Sequence, residues 1–242
     1  MSSAEYQGEL LADLPDLADL AAPPMSAELG ATVDALEPVK LRKPRRDFVV
    51  FLAVSLPFFA LMVLLLGTRR DLGGLSPVWL VGVAGVWFAS YAASAYLGFV
   101  PAKGHVAPRT RTSWQVVVAS SVVIMSLGLF ATQSVDGVSM TYPSTVKNVL
   151  AHAGTCSMMG FGTAIMPGII ALFVMRRYVP VGRLSIGLSL GAAGGSLAGL
   201  ALLLHCPVSE RFHVGIVHGG AIVTAALFVA GVSQVLLADR NS

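Results

Sequence analysis

The residues best suited to chemistry in this chain are its two cysteines and four of its five histidines. They lie in two short stretches on either side of a long apolar segment. In the first stretch a histidine precedes the cysteine by four residues, so a continuous helix would place both side chains on one face. In the second stretch the cysteine directly follows a histidine. The six residues are His152, Cys156, His205, Cys206, His213 and His218.

Three kinds of chemistry suit these side chains. Two thiols in an oxidising compartment can form a disulfide, and cysteine with histidine can bind a soft or borderline metal such as zinc. Oxidants can also titrate the thiols directly. The spacing includes no Cys-x-x-Cys motif, so it does not choose among them. Cys156 and Cys206 are therefore candidate disulfide-forming, metal-binding or oxidisable thiols, with a transient metal ion as one candidate ligand and no certain cofactor.

The elements that carry these residues are apolar helices. The chain has 242 residues, of which 55% are hydrophobic and 12% charged, and its mean hydropathy is +0.75. Soluble domains are about 25% charged, so this composition is typical of a membrane protein. Six apolar runs approach the ~20 residues that a helix needs to cross a bilayer. They cover 48–67, 78–100, 114–133, a fourth beginning within 149–156 and ending at 175, 184–204 and 214–237.

Backbone groups in lipid must bond internally, so these spans should be helices. The predicted fold is an all-α, polytopic bundle of six transmembrane helices. Twelve of the sixteen basic residues lie on one side if both termini are inside. Under the positive-inside rule, the chain is then a multi-pass membrane protein with both termini cytoplasmic. Both cysteines fall on the outer face in this arrangement.

The first 46 residues form a separate predicted domain, and residues 47–242 form the transmembrane domain. Residues 1–39 contain eight acidic residues and no lysine or arginine. Such a segment has too little apolar content to fold alone, so we expect it to be largely disordered when free and to fold on a basic cytoplasmic partner. A solvated tail with no partner is the alternative. The predicted partner-binding residues are Leu10, Leu11, Asp13, Leu14, Asp16, Leu17, Asp19 and Leu20.

Several other functions fit the sequence less well. The basic residues lie beside apolar runs rather than in a stripe, so we expect no direct nucleic-acid partner. The cluster Lys40–Arg46 is better explained by contact with anionic lipid headgroups. The predicted spans contain no acidic or basic residue, which argues against an ion-coupled transporter.

Five features of the chain resemble a known family. They are the basic stretch Val39–Arg46, the end of the first span at Leu66–Leu72, Cys156 at the start of span four, His205–Pro207 at the end of span five, and His218-Gly219 inside span six. Together these features, over about residues 38–240, resemble the NrsF-type family of six-helix membrane anti-sigma factors. The layout also resembles CarR, the myxobacterial carotenoid-regulating anti-sigma factor.

The resemblance implies a regulatory rather than an enzymatic function, in the bacterial cytoplasmic (inner) membrane. It implies that the N-terminal segment sequesters a sigma factor of the extracytoplasmic-function type. It also implies that Cys156 and Cys206 report an extracytoplasmic stress of metal, oxidative or light type. Release of the sigma factor would be conformational or would involve a protease. The alternatives are a membrane thiol-disulfide oxidoreductase, or a b-type haem protein in which His152 and His218 face one cavity.

Overall fold

The structure is a computed structural model that describes residues 43–100, 110–131, 146–175, 182–208 and 210–237. All of them belong to one unit, residues 42–242. Within these ranges the chain forms six long helices with a 3₁₀ turn and a π-helical turn between them. The helices are α1 (Pro44–Leu66), α2 (Pro77–Phe99), α3 (Thr110–Phe130), α4 (Val146–Met175), α5 (Arg183–His205) and α6 (Gly219–Leu236); the 3₁₀ turn is Leu72–Gly74 and the π-helical turn is His213–His218.

The prediction of an all-α bundle with six membrane-spanning helices is confirmed. Each of the six segments is long and apolar enough to cross a bilayer. Three helices begin earlier than the apolar runs suggest, at Pro44, Thr110 and Val146. In α1 the reason is local, since Pro44 fits the first helical turn and an acidic side chain there suits the helix dipole. Hydropathy therefore locates the part of each helix in lipid, whereas the helix itself extends into the polar region.

Helix α5 is the centre of the bundle, and the whole of its apolar stretch is buried. Its glycines allow the backbones of α5 and α6 to approach each other closely. A Cβ atom added at Gly195 would lie 2.5 Å from the Ile222 Cα atom, and one at Gly191 would lie 2.4 Å from the Ala225 carbonyl oxygen. Lipid supplies no hydrophobic force to drive helices together, so such close packing of small residues stabilises their association.

Serine pairs join α5 to its other neighbours. The hydroxyls of Ser90 in α2 and Ser196 in α5 lie 2.8 Å apart. The Ser189 hydroxyl of α5 donates to Ser113 in α3 at 2.9 Å. Each of these four buried hydroxyls thus finds a partner inside the bundle, which offsets the cost of burying a polar group in an apolar environment.

The helix ends meet in the alternating order expected of six successive spans. At one end of the bundle the Trp79 indole donates to the Ala131 carbonyl, which joins the start of α2 to the end of α3. At this end the Arg69 amide, after α1, also donates to the Leu204 carbonyl of α5 at 2.8 Å. Cys206, directly after α5, lies here as well, and we call this side of the bundle the thiol end.

Candidate functional site

The two thiols meet at the thiol end of the bundle. Cys156 is in α4, and Cys206 directly follows α5. Their Sγ atoms are 3.5 Å apart, and neither cysteine is in a disulfide. Cys206 is 2% exposed, whereas Cys156 is half-buried. The packing of α4 against α5 therefore brings together two residues that are fifty positions apart in the sequence.

His213 completes a set of three potential metal ligands. Its Nε2 atom is 3.6 Å from the Cys206 Sγ atom. The ligand atoms of Cys156, Cys206 and His213 all lie within 4.8 Å of one another. Two ligands of one tetrahedral zinc ion lie about 3.5–3.8 Å apart, given bonds of ~2.3 Å to sulfur and ~2.0 Å to nitrogen. The donor types and spacings thus fit a soft or borderline metal.

Glu210 holds His213 in place through the backbone. Its carboxylate accepts the His213 amide at 2.6 Å and the Phe212 amide at 3.1 Å. These bonds satisfy amides at the start of a helix that have no partner within the helix. The chain then enters the π-helical turn, a type of turn found frequently at functional sites. The turn places His213 and His218 on the buried side.

His218 packs edge-on against His213, with ring centroids 5.3 Å apart and an interplanar angle of 78°. Both rings are 1% exposed. His218 also interacts electrostatically with the Cys206 thiol. Within the part of the chain that the structure describes, neither ring nitrogen of His218 has a hydrogen-bond partner, and the same holds for Nδ1 of His213. We call Cys156, Cys206, His213 and His218 the thiol–histidine cluster.

The surroundings raise the pKa of the Cys206 thiol. The hydrogen bond with the Cys156 thiol raises the pKa of Cys206 above its usual value, and burial raises it further. The interactions with His213 and His218 act in the opposite direction but are weaker. Since the thiolate is the nucleophile in thiol chemistry, a raised pKa makes the Cys206 side chain less reactive at neutral pH.

The loop between α1 and α2, residues 67–76, binds to the end of α5 beside the cluster. Gly67 ends α1 with a φ of 76°, a left-handed conformation that favours glycine. Its carbonyl oxygen lies 3.0 Å from Nδ1 of His205. Next to it, the Arg69 and Asp71 side chains form a buried ion pair at 2.5 Å. Arg69 is also within electrostatic range of His218, so the loop lies near the cluster.

A comparison with protein-family models identifies the chain's family. The model for NrsF, described as negative regulator of sigma F, matches residues 33–238. The chain belongs to the NrsF family. This family is one of anti-sigma factors, so the NrsF-type chain has a sigma factor as its partner, and the regulatory class is not an enzyme class. No curated protein matches the chain, and no solved structure does.

The structure places the other predicted site residues of this NrsF chain in different positions. His205 is directed to Gly67 and does not join the set of three ligand atoms. His152 lies in α4, but its side chain is outside the described residues. The predicted partner-binding segment, from Leu10 to Leu20, also lies outside the described residues. The sensory, metal-binding and partner-binding roles of these residues remain predictions.

Sequence analysis missed Arg69, Asp71 and Glu210. From the sequence, Arg69 is only one of the basic residues that set the topology and part of the stretch Leu66–Leu72, and no site role is assigned to Asp71 or Glu210. A signal was present, since a basic and an acidic residue two positions apart in a short loop after a span can pair. Glu210 likewise precedes His213 by three residues, a spacing at which a carboxylate can cap the start of a helix. Neither signal indicates that the side chain is buried beside the cysteines.

Proposed function

We propose that this NrsF-family chain holds an extracytoplasmic-function sigma factor at the bacterial inner membrane and releases it when Cys156 and Cys206 are modified. Both termini are cytoplasmic in this proposal, and the thiol end faces outward. The acidic N-terminal segment covers a basic, DNA-binding surface of the sigma factor. The activity is binding and release, with no catalysed reaction. Anionic lipid contacts Lys40–Arg46, where the chain enters the membrane.

The observation that carries the proposal is the 3.5 Å separation of the Cys156 and Cys206 sulfur atoms. A disulfide has an S–S bond of about 2.05 Å. A shift of ~1.5 Å between α4 and the end of α5 is therefore enough to form one. Core packing gives interfaces discrete arrangements rather than continuous deformation, so a small change at one point can switch the whole bundle.

A route from the thiols to the end of α1 is present in the described residues. Cys206 follows Leu204 and His205, both of which bond to the loop after α1. Movement of this short stretch would pull on the Gly67 carbonyl and the Arg69 amide. Helix α1 is the least buried of the six spans, so few contacts with the bundle oppose its movement. The segment that binds the sigma factor precedes α1 directly.

A metal ion is a second form that the signal can take. The two thiols and the His213 ring offer three ligands within 4.8 Å of one another. Metal binding would replace the thiol protons and draw α4, α5 and the π-helical turn together. It would have the same mechanical result as a disulfide without an oxidant. Cleavage by a protease after such a change is an alternative route of release.

The test is a set of cysteine variants in a strain that reports sigma-factor activity. Cys156→Ser and Cys206→Ser should each still repress the reporter but respond weakly to oxidant or metal. The double variant should resemble either single variant, because residues that act as one unit are not additive. Thr155→Ser, at an exposed neighbouring position, is the matched control and should respond normally.

The form of the signal can be read in the same strains. Gel shifts after thiol alkylation without reductant detect a disulfide between the two cysteines. A metal response in which both thiols stay reduced and which is reversed by a chelator indicates coordination instead. Normal induction in either single variant would contradict the proposed sensor role of the pair.

A further inference from the structure

An apolar groove of about 460 Å³ lies between α4 and α6. Its walls include Ser157 and Gly160 of α4, Ile216 of the π-helical turn and Gly220 of α6, and Leu202 of α5 forms part of its lining. Ligand pockets of ~300–1,000 Å³ with mainly apolar walls are the usual size for small organic molecules. The rim is exposed, since Met158 is 76% and Ile216 is 50% exposed, so the groove opens toward lipid.

The groove lies one helical turn from the thiol–histidine cluster on all three sides. Gly160 follows Cys156 by four residues, Leu202 precedes Cys206 by four, and Val217 follows His213 by four. Helices α4 and α6 begin at the thiol end and α5 ends there. In each of the three cases the groove residue therefore lies about 5–6 Å deeper in the membrane than the cluster residue. A ligand with its tail in the groove would place its head at the cluster.

Two further features define the groove. Phe161 lines it and packs edge-on against Phe228 with ring centroids 5.2 Å apart, which joins α4 to α6 at the inner end. At Gly220 the groove is open because the residue has no side chain, as a Cβ atom there would meet nothing within 4 Å. The groove is thus bounded by the cluster at one end and an aromatic pair at the other.

We propose that this groove binds the tail of a lipophilic quinone, whose head group oxidises Cys156 and Cys206. The inference rests on the proposed sensor function and names the oxidant that acts on it. A dithiol needs a two-electron acceptor, and an acceptor that reaches the thiols from the membrane needs an apolar tail. Quinone carbonyl oxygens accept hydrogen bonds, and the ring nitrogens of His218 are buried with no partner among the described residues.

The reaction balances within the protein and one quinone. The S–H bonds of Cys156 and Cys206 break, and one S–S bond forms between them. The two electrons enter the quinone ring, and the two thiol protons end on its two oxygens. The quinone is reduced to its quinol and the dithiol is oxidised to the disulfide. The quinol then leaves through the open side of the groove into the lipid.

The experiment uses the full chain, reduced and reconstituted in lipid nanodiscs, with decylubiquinone as the probe. We expect one quinol per chain, a saturable rate and loss of both free thiols, and no disulfide in Cys156→Ser. Gly220→Leu should fill the groove from α6 and lower the oxidation rate by about tenfold or more, as misfit in an apolar pocket does. Gly231→Leu, also on α6 and also open around its Cβ position, should leave the rate unchanged.

A second pair of variants tests the opposite wall. Ser157→Leu should slow the reaction as Gly220→Leu does, and the neighbouring exposed position Thr155→Leu should not. Diamide, a water-soluble oxidant, should still form the disulfide in every variant that keeps both cysteines, which would show that the bundle is folded. A quinone with a photoreactive group should crosslink to the α4 or α6 peptide that lines the groove.

Each outcome bears on one claim. Equal quinone oxidation in wild type and both groove variants would overturn the inference and would mean that ordinary lipid fills the groove. Oxidation of the wild type by diamide but not by quinone would overturn it as well. If the disulfide made by diamide leaves the sigma factor bound, the proposed function fails, whatever the quinone result.

Discussion

At the level of single residues, the ion pair of Arg69 and Asp71 shows how the loop after α1 is held beside the thiol–histidine cluster. Two hydrogen bonds of 2.5 Å join the guanidinium to both carboxylate oxygens, and both side chains are almost fully buried. Removal of one partner from a buried pair leaves an uncompensated charge, which costs about 3–5 kcal/mol. The position of the loop therefore depends on both partners of the ion pair being present.

We predict that Arg69→Gln lowers the free energy of unfolding by about 3–5 kcal/mol, because Asp71 keeps its charge without its partner. Unfolding by denaturant in mixed micelles, followed by tryptophan fluorescence, measures the change. Arg70→Gln is the matched control, since Arg70 is adjacent and exposed. The control should change stability by less than about 0.5 kcal/mol. Similar losses in both variants would show that the buried pair does not hold the loop.

The positions of the two cysteines could be predicted from the sequence in part, whereas the burial of Arg69 could not. Alternation of spans places Cys156 and Cys206 on the same side of the membrane, because one begins a span and the other ends the next. It does not indicate that α4 and α5 pack together, on which their 3.5 Å separation depends. For Arg69 the charge count predicts topology alone, since burial of a loop residue depends on the helix end that it contacts.

At the level of elements, α5 and α1 show that hydropathy does not indicate which span is central. Helix α1 is the most apolar of the six and the least buried, while the fully buried α5 is less apolar than four of the others. Lipid is as apolar as leucine, so a leucine-rich surface gains little by burial in a bundle. The composition of α5, rich in glycine and serine, indicates close packing. Its central place depends on which helices pack against it, and composition does not indicate that.

We predict that Gly195→Leu destabilises the bundle by about 1–3 kcal/mol or more, because its side chain would meet the backbone of α6. Gly231→Leu is the control on α6, where a Cβ atom meets nothing within 4 Å. Thermal unfolding in detergent measures both. If Gly195→Leu unfolds at the same temperature as wild type, α5 and α6 do not pack along this face.

The π-helical turn could not be predicted from the sequence. The stretch His213–His218 is apolar apart from its histidines and would suit an ordinary helix equally well. The turn follows from the Glu210 contacts at its start and from the packing of Gly215 against α3, where an added Cβ atom would lie 3.0 Å from the Leu129 side chain. Such constraints arise only once the neighbouring helix is in place.

At the level of the whole molecule, the proposed orientation decides what can reach the thiol end. Fusion of alkaline phosphatase after Ser139 should give activity, because residue 139 lies in the loop between the third and fourth spans, which the positive-inside rule places outside. Fusion after Arg240 should be inactive. A cytoplasmic reporter at the same sites should give the opposite pattern. Activity after Arg240 and none after Ser139 would place the thiols in the cytoplasm and overturn the proposed sensor direction.

The acidic N-terminal segment joins this orientation to the sigma factor. We predict that Asp13, Asp16 and Asp19, changed together to lysine, weaken binding of a residue 1–46 peptide to the sigma factor by about tenfold or more, since three attractive contacts become repulsive. High salt should weaken the unmodified peptide too, because exposed charges are screened. In cells the same triple change should switch on the target genes without stress.

A matched triple reversal separates specific docking from net charge. Glu28, Asp34 and Glu37 changed to lysine alter the peptide's charge by the same amount but lie beyond the leucine stripe of residues 10–20. If the stripe and its carboxylates form the docking surface, this control should lose much less affinity than the first variant at the same ionic strength. Equal losses would mean that the sigma factor senses only the overall charge, and full repression by a chain that lacks residues 2–37 would place the binding surface elsewhere.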